Sequence, residues 1–119
     1  MAKKILTVDD MLFMRTALKK ILESSGYEIV GEAENGRDGV EKYKRTLPDI
    51  VTMDITMPDM DGLEALGKIK EINPDAKVVM VSAMGQEKNI FEAVKLGAKN
   101  FIVKPFKADK VLEVIKTLE

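Results

Sequence analysis

The sequence predicts an α/β fold: a five-stranded parallel sheet in the order 2-1-3-4-5, with helices on both faces. Three observations carry it. Short runs of β-branched and apolar residues recur along the chain, and the segments between them place their apolar residues at helical spacing. This strict alternation suits parallel strands, which need right-handed helical crossovers and are covered by helices on both sides. Two of the runs, "DIVTM" and "KVVMVS", hold almost no polar residue, as central strands buried on both faces should.

The elements follow in order. "KILTV" (4–8) is the first strand, and Met14, Leu18, Ile21 and Leu22 form the apolar stripe of a helix that Gly26 stops. "EIVGEA" (28–33) is more polar and is expected at a sheet edge. Val40, Tyr43 and Leu47 mark the second helix, closed by Pro48. "DIVTM" (49–53) is the third strand; Asp61-Gly62 forms a turn that starts the third helix, with Leu63, Leu66 and Ile69 on its apolar face and Pro74 beyond it. "KVVMVS" (77–82) is the fourth strand, followed by a helix with Ile90 and Val94 that ends at Gly97. "NFIVK" (100–104) precedes Pro105 and a last helix with Val111, Val114, Ile115 and Leu118. With 119 residues, 45% apolar and 33% charged, the chain has material for one core. A single domain over 1–119 is expected, with no linker, repeat or effector domain.

Composition removes several functions. There is no cysteine and no histidine, so thiolate chemistry, a histidine general base and a phosphohistidine carrier role are excluded. Nineteen basic against twenty acidic residues give a net charge of -1, with neither sign gathered into a block that would track nucleic acid or an anionic membrane. "MAKK" opens like a basic leader, but "ILTV" is too short for a signal peptide or a membrane span. A cytoplasmic protein with no nucleic-acid or membrane partner is expected.

Two stretches end in acid, "KILTVDD" and "DIVTMD", and the "MPDMDG" that follows carries two more aspartates. In an open parallel sheet the functional crevice lies beyond the carboxyl ends of the strands. In the order 2-1-3-4-5 the first and third strands are neighbours, so Asp9 and Asp10 come within roughly 5 Å of Asp54 across the ladder. At an effective dielectric of ~20, two unit charges ~4 Å apart repel by about 4 kcal/mol, so a cation belongs there. Hard oxygen ligands in small number suit magnesium better than calcium or zinc. Lys104, ending strand five, supplies a fixed positive charge, and Ser82, ending strand four, a hydroxyl. This constellation suits a phosphoryl group on Asp54. Taken singly, each residue has a plainer reading: Asp9, Asp10 and Ser82 as helix caps, Lys104 as a solvated turn residue, Phe101 as core. Separate caps would not need to converge on one sheet edge.

With these residues in place, "VDD" (8–10), "TMDITMPDMDG" (52–62), "SAMG" (82–85) and "FIVKPF" (101–106) resemble the receiver domain of response regulators over essentially the whole chain. The resemblance implies a flavodoxin-like (βα)5 fold and a phosphorylation-activated signalling protein of a two-component system. It makes Asp54 the phosphoacceptor, Asp10 a direct Mg2+ ligand, Asp9 a ligand largely through water, and Thr56 a ligand through its backbone carbonyl. Lys104 would pair with phosphoryl oxygens, Ser82 would hydrogen-bond them, and Phe101 would be an aromatic rotamer switch, with phenylalanine standing where tyrosine is common. The implied partners are a histidine kinase as phosphodonor, a flagellar motor switch protein and a phosphatase, the chain acting as a monomer and assisting its own phosphotransfer and dephosphorylation. "FMR" (13–15) and "MGQ" (84–86) resemble the chemotaxis members; a phosphorelay intermediate or a receiver with another output is the alternative. A dinucleotide or flavin binder would need glycines or hydroxyls at "VDDMLFMR", and a haloacid-dehalogenase phosphatase would need aspartate where Met11 stands. The Lys104-Pro105 bond is expected to be cis, because Lys104 must turn inward at a strand end.

Overall fold

In the computed structural model, which describes residues 2–119, strands and helices alternate throughout; Met1, the start of "MAKK", lies outside the described residues. The strands are β1 (Lys4–Val8), β2 (Glu28–Ala33), β3 (Ile50–Asp54), β4 (Val78–Ala83) and β5 (Asn100–Lys104). The helices are α1 (Leu12–Ser24), α2 (Gly36–Thr46), α3 (Gly62–Ile72), α4 (Glu87–Lys95) and α5 (Ala108–Lys116). All strand pairs are parallel and the order is β2-β1-β3-β4-β5, as expected. The polar β2 is an edge and β3 is buried along its whole length.

Side-chain alternation divides the sheet into two cores. On one face Ile5, Ile50, Val79 and Ile102 pack with Leu18 and Leu22 of α1 and Val111, Val114 and Ile115 of α5. On the other, Leu6, Val8, Val51, Met53, Val78 and Met80 pack with residues of α2, α3 and α4, including Tyr43, Leu66, Ile69 and Ala93. Each fully buried aliphatic side chain of this kind contributes roughly 1.5–3 kcal/mol.

Three details differ from the expectation. β3 and β4 each lie one residue later, because the ladder runs on to pair Asp54 with Val81 and Ala83 with Lys104. Leu47 is no core residue: it is 67% exposed at φ 45, where the following Pro48 bars a further right-handed helical turn. In α4 the buried position is Ala93 and Val94 faces out, so the helix docks through an i, i+3 seam with Ile90.

The turn between β3 and α3 is wedged. Asp61 caps α3 by accepting the Glu64 N–H at 2.9 Å. A Cβ on Gly62 would lie 2.0 Å from the Asp54 carbonyl oxygen, and one on Gly36 would lie 2.4 Å from that of Met60. Only glycine lets the start of α2 and the start of α3 close on this loop. Asp59 within it holds φ 67 and pairs with Arg37 of α2 at 2.9 Å. The Lys104-Pro105 bond is cis, as expected. Among the described residues no helix is long and apolar enough to cross a membrane.

Candidate functional site

Parity explains where the acids meet. Asp54 stands opposite Val81, and Lys104 follows Ile102 by two, so both share the face that holds Val79 and Ile102. Asp9 continues β1 two residues beyond Thr7, on that same face. The three polar ends therefore crown one core at the carboxyl edge of the sheet. One oxygen from each of Asp9, Asp10 and Asp54 lies within 4.8 Å of the others, with Asp9 and Asp54 buried and Asp10 exposed.

Lys104 bridges the buried pair. Its Nζ lies 3.2 Å from Asp9 Oδ2 and 3.3 Å from Asp54 Oδ1. Asp54 Oδ1 also accepts the Ile55 N–H at 3.0 Å, so both contacts fall on one oxygen. One ammonium does not balance the site. Burial first, then the Asp9 and Asp10 carboxylates, push Asp54 up from 3.8 to about 6 against the opposing pull of Lys104. Burial lowers the Lys104 pKa, but Asp54 and Asp9 together outweigh it and hold it above the ordinary value. An all-oxygen set with this residual negative charge fits a hard divalent cation.

The helix-cap reading does not account for the acids. α1 is preceded by Met11, with no side-chain cap, and Asp9 Oδ1 instead accepts the Met11 N–H at 2.9 Å within the loop. Thr56, two residues past Asp54, is exposed, and its Oγ1 accepts from Gln86 Nε2 at 2.9 Å. Ser82 has the parity of Val78 and Met80, so its side chain belongs to the opposite face from Asp54; its hydroxyl is fully buried and has no hydrogen-bond partner among the described residues. Phe101 shares that face. It is 40% exposed and lines, with Ala83, Gln86, Ile90 and Val103, a groove of about 310 Å³ beside the start of α4.

Two residues at the site were not singled out from sequence. Arg15 is buried beneath the β1–α1 loop, and its signal was its place on the α1 core stripe, three and seven residues before Leu18 and Leu22. In the sequence Gln86 stands out only within "MGQ"; its Oε1 accepts the Ala83 N–H at 2.6 Å while its amide reaches Thr56, tying the two loops that flank Asp54.

Comparison with known proteins agrees with this geometry. Residues 5–116 match the model of the response regulator receiver domain. The chain is 59% identical over 119 residues to the chemotaxis protein CheY of Bacillus subtilis, covering 99% of each. It is 56% identical over 115 residues to that of Thermotoga maritima, covering 97% of this chain and 96% of the other. Among solved structures, one described as the CheX-CheY-BeF3-Mg+2 complex from Borrelia burgdorferi superposes with a TM-score of 0.94 at 42% identity, covering 98% of this chain and 88% of that one.

Proposed function

From a chain that belongs to the response regulator receiver domain family, we propose a phosphorylation-activated chemotaxis response regulator in which Asp54 is the phosphoacceptor. The observation that carries the reading is the convergence of Asp9, Asp10, Asp54 and Lys104 at the carboxyl edge of one sheet face. The β1–β3 pairing and a buried carboxyl with a raised pKa support it.

The described residues form one receiver unit, and its output is a change of its own surface. A histidine kinase's phosphohistidine is the donor. Asp54 Oδ1 is held by Ile55 N–H and Lys104, which leaves Oδ2 to attack phosphorus. The new O–P bond forms as the N–P bond breaks, and the imidazole nitrogen leaves with the bonding pair. Asp9, Asp10, Asp54 and the Thr56 carbonyl would hold Mg2+, which supplies charge neutralisation at the transferring oxygens when bound. Lys104 is tied to Asp9 and Asp54 before transfer and turns to the phosphoryl oxygens after it. Hydrolysis of the acyl phosphate, assisted by this site and hastened by a phosphatase, resets the domain.

Ser82 and Phe101 are read as the switch. The unpartnered Ser82 hydroxyl gains an acceptor when a phosphoryl group arrives, and its shift toward Asp54 opens space for the Phe101 ring to move from its half-exposed position into the groove by α4. The surface formed by α4, β5 and α5 then recognises a flagellar motor switch protein, with the chain acting as a cytoplasmic monomer. The test is incubation with a panel of phosphorylated chemotaxis and relay kinases. Rapid labelling by the chemotaxis kinase, acid-labile and lost in Asp54→Asn, is expected. Preference for a relay kinase would overturn the chemotaxis reading, and retained acyl-phosphate labelling in Asp54→Asn would overturn the site.

A further inference from the structure

We infer that Arg15 is a positioning residue for the acid cleft, fixing the β1–α1 loop so that Asp9 and Asp10 are aimed at a shared cation; this rests on the reading of that cleft as a magnesium site. A buried guanidinium is costly unless it is paired and its donors are used. Arg15 is 6% exposed and uses them on two elements. Nη1 donates to the Asp9 carbonyl oxygen at 2.5 Å, and Nε donates to Glu32 Oε1 of β2 at 3.1 Å. Nη2 lies 3.8 Å from Glu34 Oε1, and Lys19 Nζ lies 3.6 Å from the other oxygen of Glu32.

The consequence for the acids is geometric. The Asp9 N–H donates to the Ala33 carbonyl at 3.0 Å, so the end of β2 holds Asp9 from both sides: directly at its N–H, and through Glu32 and Arg15 at its C=O. The Asp9 carbonyl shares a planar peptide unit with the Asp10 N–H. Fixing that carbonyl therefore fixes the plane from which the Asp10 side chain departs. Asp10 needs this, because it is exposed and packing does not hold it. Asp9 Oδ1 is further anchored by the Met11 N–H, whose residue also accepts from Arg15's own backbone N–H at 3.1 Å.

Electrostatics alone predicts the opposite sign. A guanidinium beside the cleft repels a divalent cation, so if its charge were what mattered, removing it would tighten magnesium binding. Positioning predicts weakening. Arg15→Met, Arg15→Lys and Glu32→Gln are titrated with magnesium at a temperature where circular dichroism shows each folded, and amide exchange at Met11 is followed without metal. Arg15→Met should bind magnesium roughly tenfold more weakly, the effect typical of losing a group that orients a ligand, and lose protection at Met11. Glu32→Gln and Arg15→Lys should change both in the same direction by less, and they carry the test if Arg15→Met does not fold. Unchanged or tighter magnesium binding, or unchanged Met11 protection, would overturn the assignment. Asp10→Ala is the control: if it binds magnesium as the parent does, the reading of the cleft fails, while the metal-free exchange at Met11 still decides what Arg15 holds.

Discussion

Asp54→Asn should make the metal-free protein more stable at neutral pH, even though it removes the proposed phosphoacceptor. In the folded chain the Asp54 carboxyl titrates near 6, against 3.8 for the unperturbed group. A group whose folded pKa is raised contributes stability that is complete below the unfolded value and is lost as pH rises through the folded one. The window is therefore about pH 4 to 6, and the loss is complete at pH 7. A rise of about two pH units corresponds to about 3 kcal/mol. Asp54 is 6% exposed, so solvent screening does not erase this, although Lys104 at 3.3 Å already offsets part of the cost. Asparagine keeps the shape and removes the charge. Urea unfolding of both proteins in chelator, from pH 4 to pH 8, isolates the cleft because carboxylates outside it cancel in the difference. The mutant's advantage should grow from its smallest value near pH 4 to about 3 kcal/mol at pH 7. Magnesium at ~100 times its dissociation constant should then add about 2.7 kcal/mol to the parent and close most of the gap. A difference that does not change with pH, or a mutant less stable at pH 7 without metal, would refute the account of burial and mutual repulsion in the cleft.

Three further outcomes follow. Asp10→Ala should abolish most of the magnesium-dependent rise in Tm while leaving the metal-free fold intact, since Asp10 is exposed and belongs to no core; differential scanning calorimetry with and without magnesium checks it. Ser82→Ala should retain magnesium binding yet lose the gain in partner affinity on beryllofluoride addition, a gain of roughly 5–150-fold for coupling of about 1–3 kcal/mol; peptide titration in both proteins decides. Gly62→Ala should destabilise by about 1–3 kcal/mol or more, because its Cβ would lie 2.0 Å from the Asp54 carbonyl oxygen, and denaturant melts measure this.

Much of this was legible in the sequence, and the reason is periodicity. Runs of β-branched and apolar residues mark β1, β2 and β5 to the residue, helical spacing marks the segments between the strands, and the acids stand out because carboxylates end strands only at a cost. What escaped was set by tertiary packing. Leu47 satisfied the helical spacing of Val40 and Tyr43, but Pro48 decided its conformation. Val94 and Ala93 are both apolar neighbours, and only the docking of α4 tells which is inside. Arg15 sits on a core stripe, yet a search for apolar spacing passes over a charged residue whose partners, Glu32 and the Asp9 carbonyl, are brought to it by the β1–β2 pairing. The link from Gln86 to Thr56 spans thirty residues and has no sequence signature.

The two-faced parity of the strands makes the sheet a partition between the acid cleft and the groove beside α4. Asp9, Asp54 and Lys104 stand over the core shared with α1 and α5, whereas Phe101 and Val103 belong to the side where α4 docks. With the groove by α4 as the proposed partner surface, substitutions lining it would retarget the chain without disturbing the floor beneath the acids, and repacking under the acids would leave the groove's lining in place. Ser82 stands where the compartments meet: it lies in the ladder one residue past Asp54's partner Val81, and its hydroxyl has the parity of the groove side. In the proposed switch a single buried hydroxyl sets how strongly the two are joined, so a receiver built this way would change what it speaks to while keeping how it is charged.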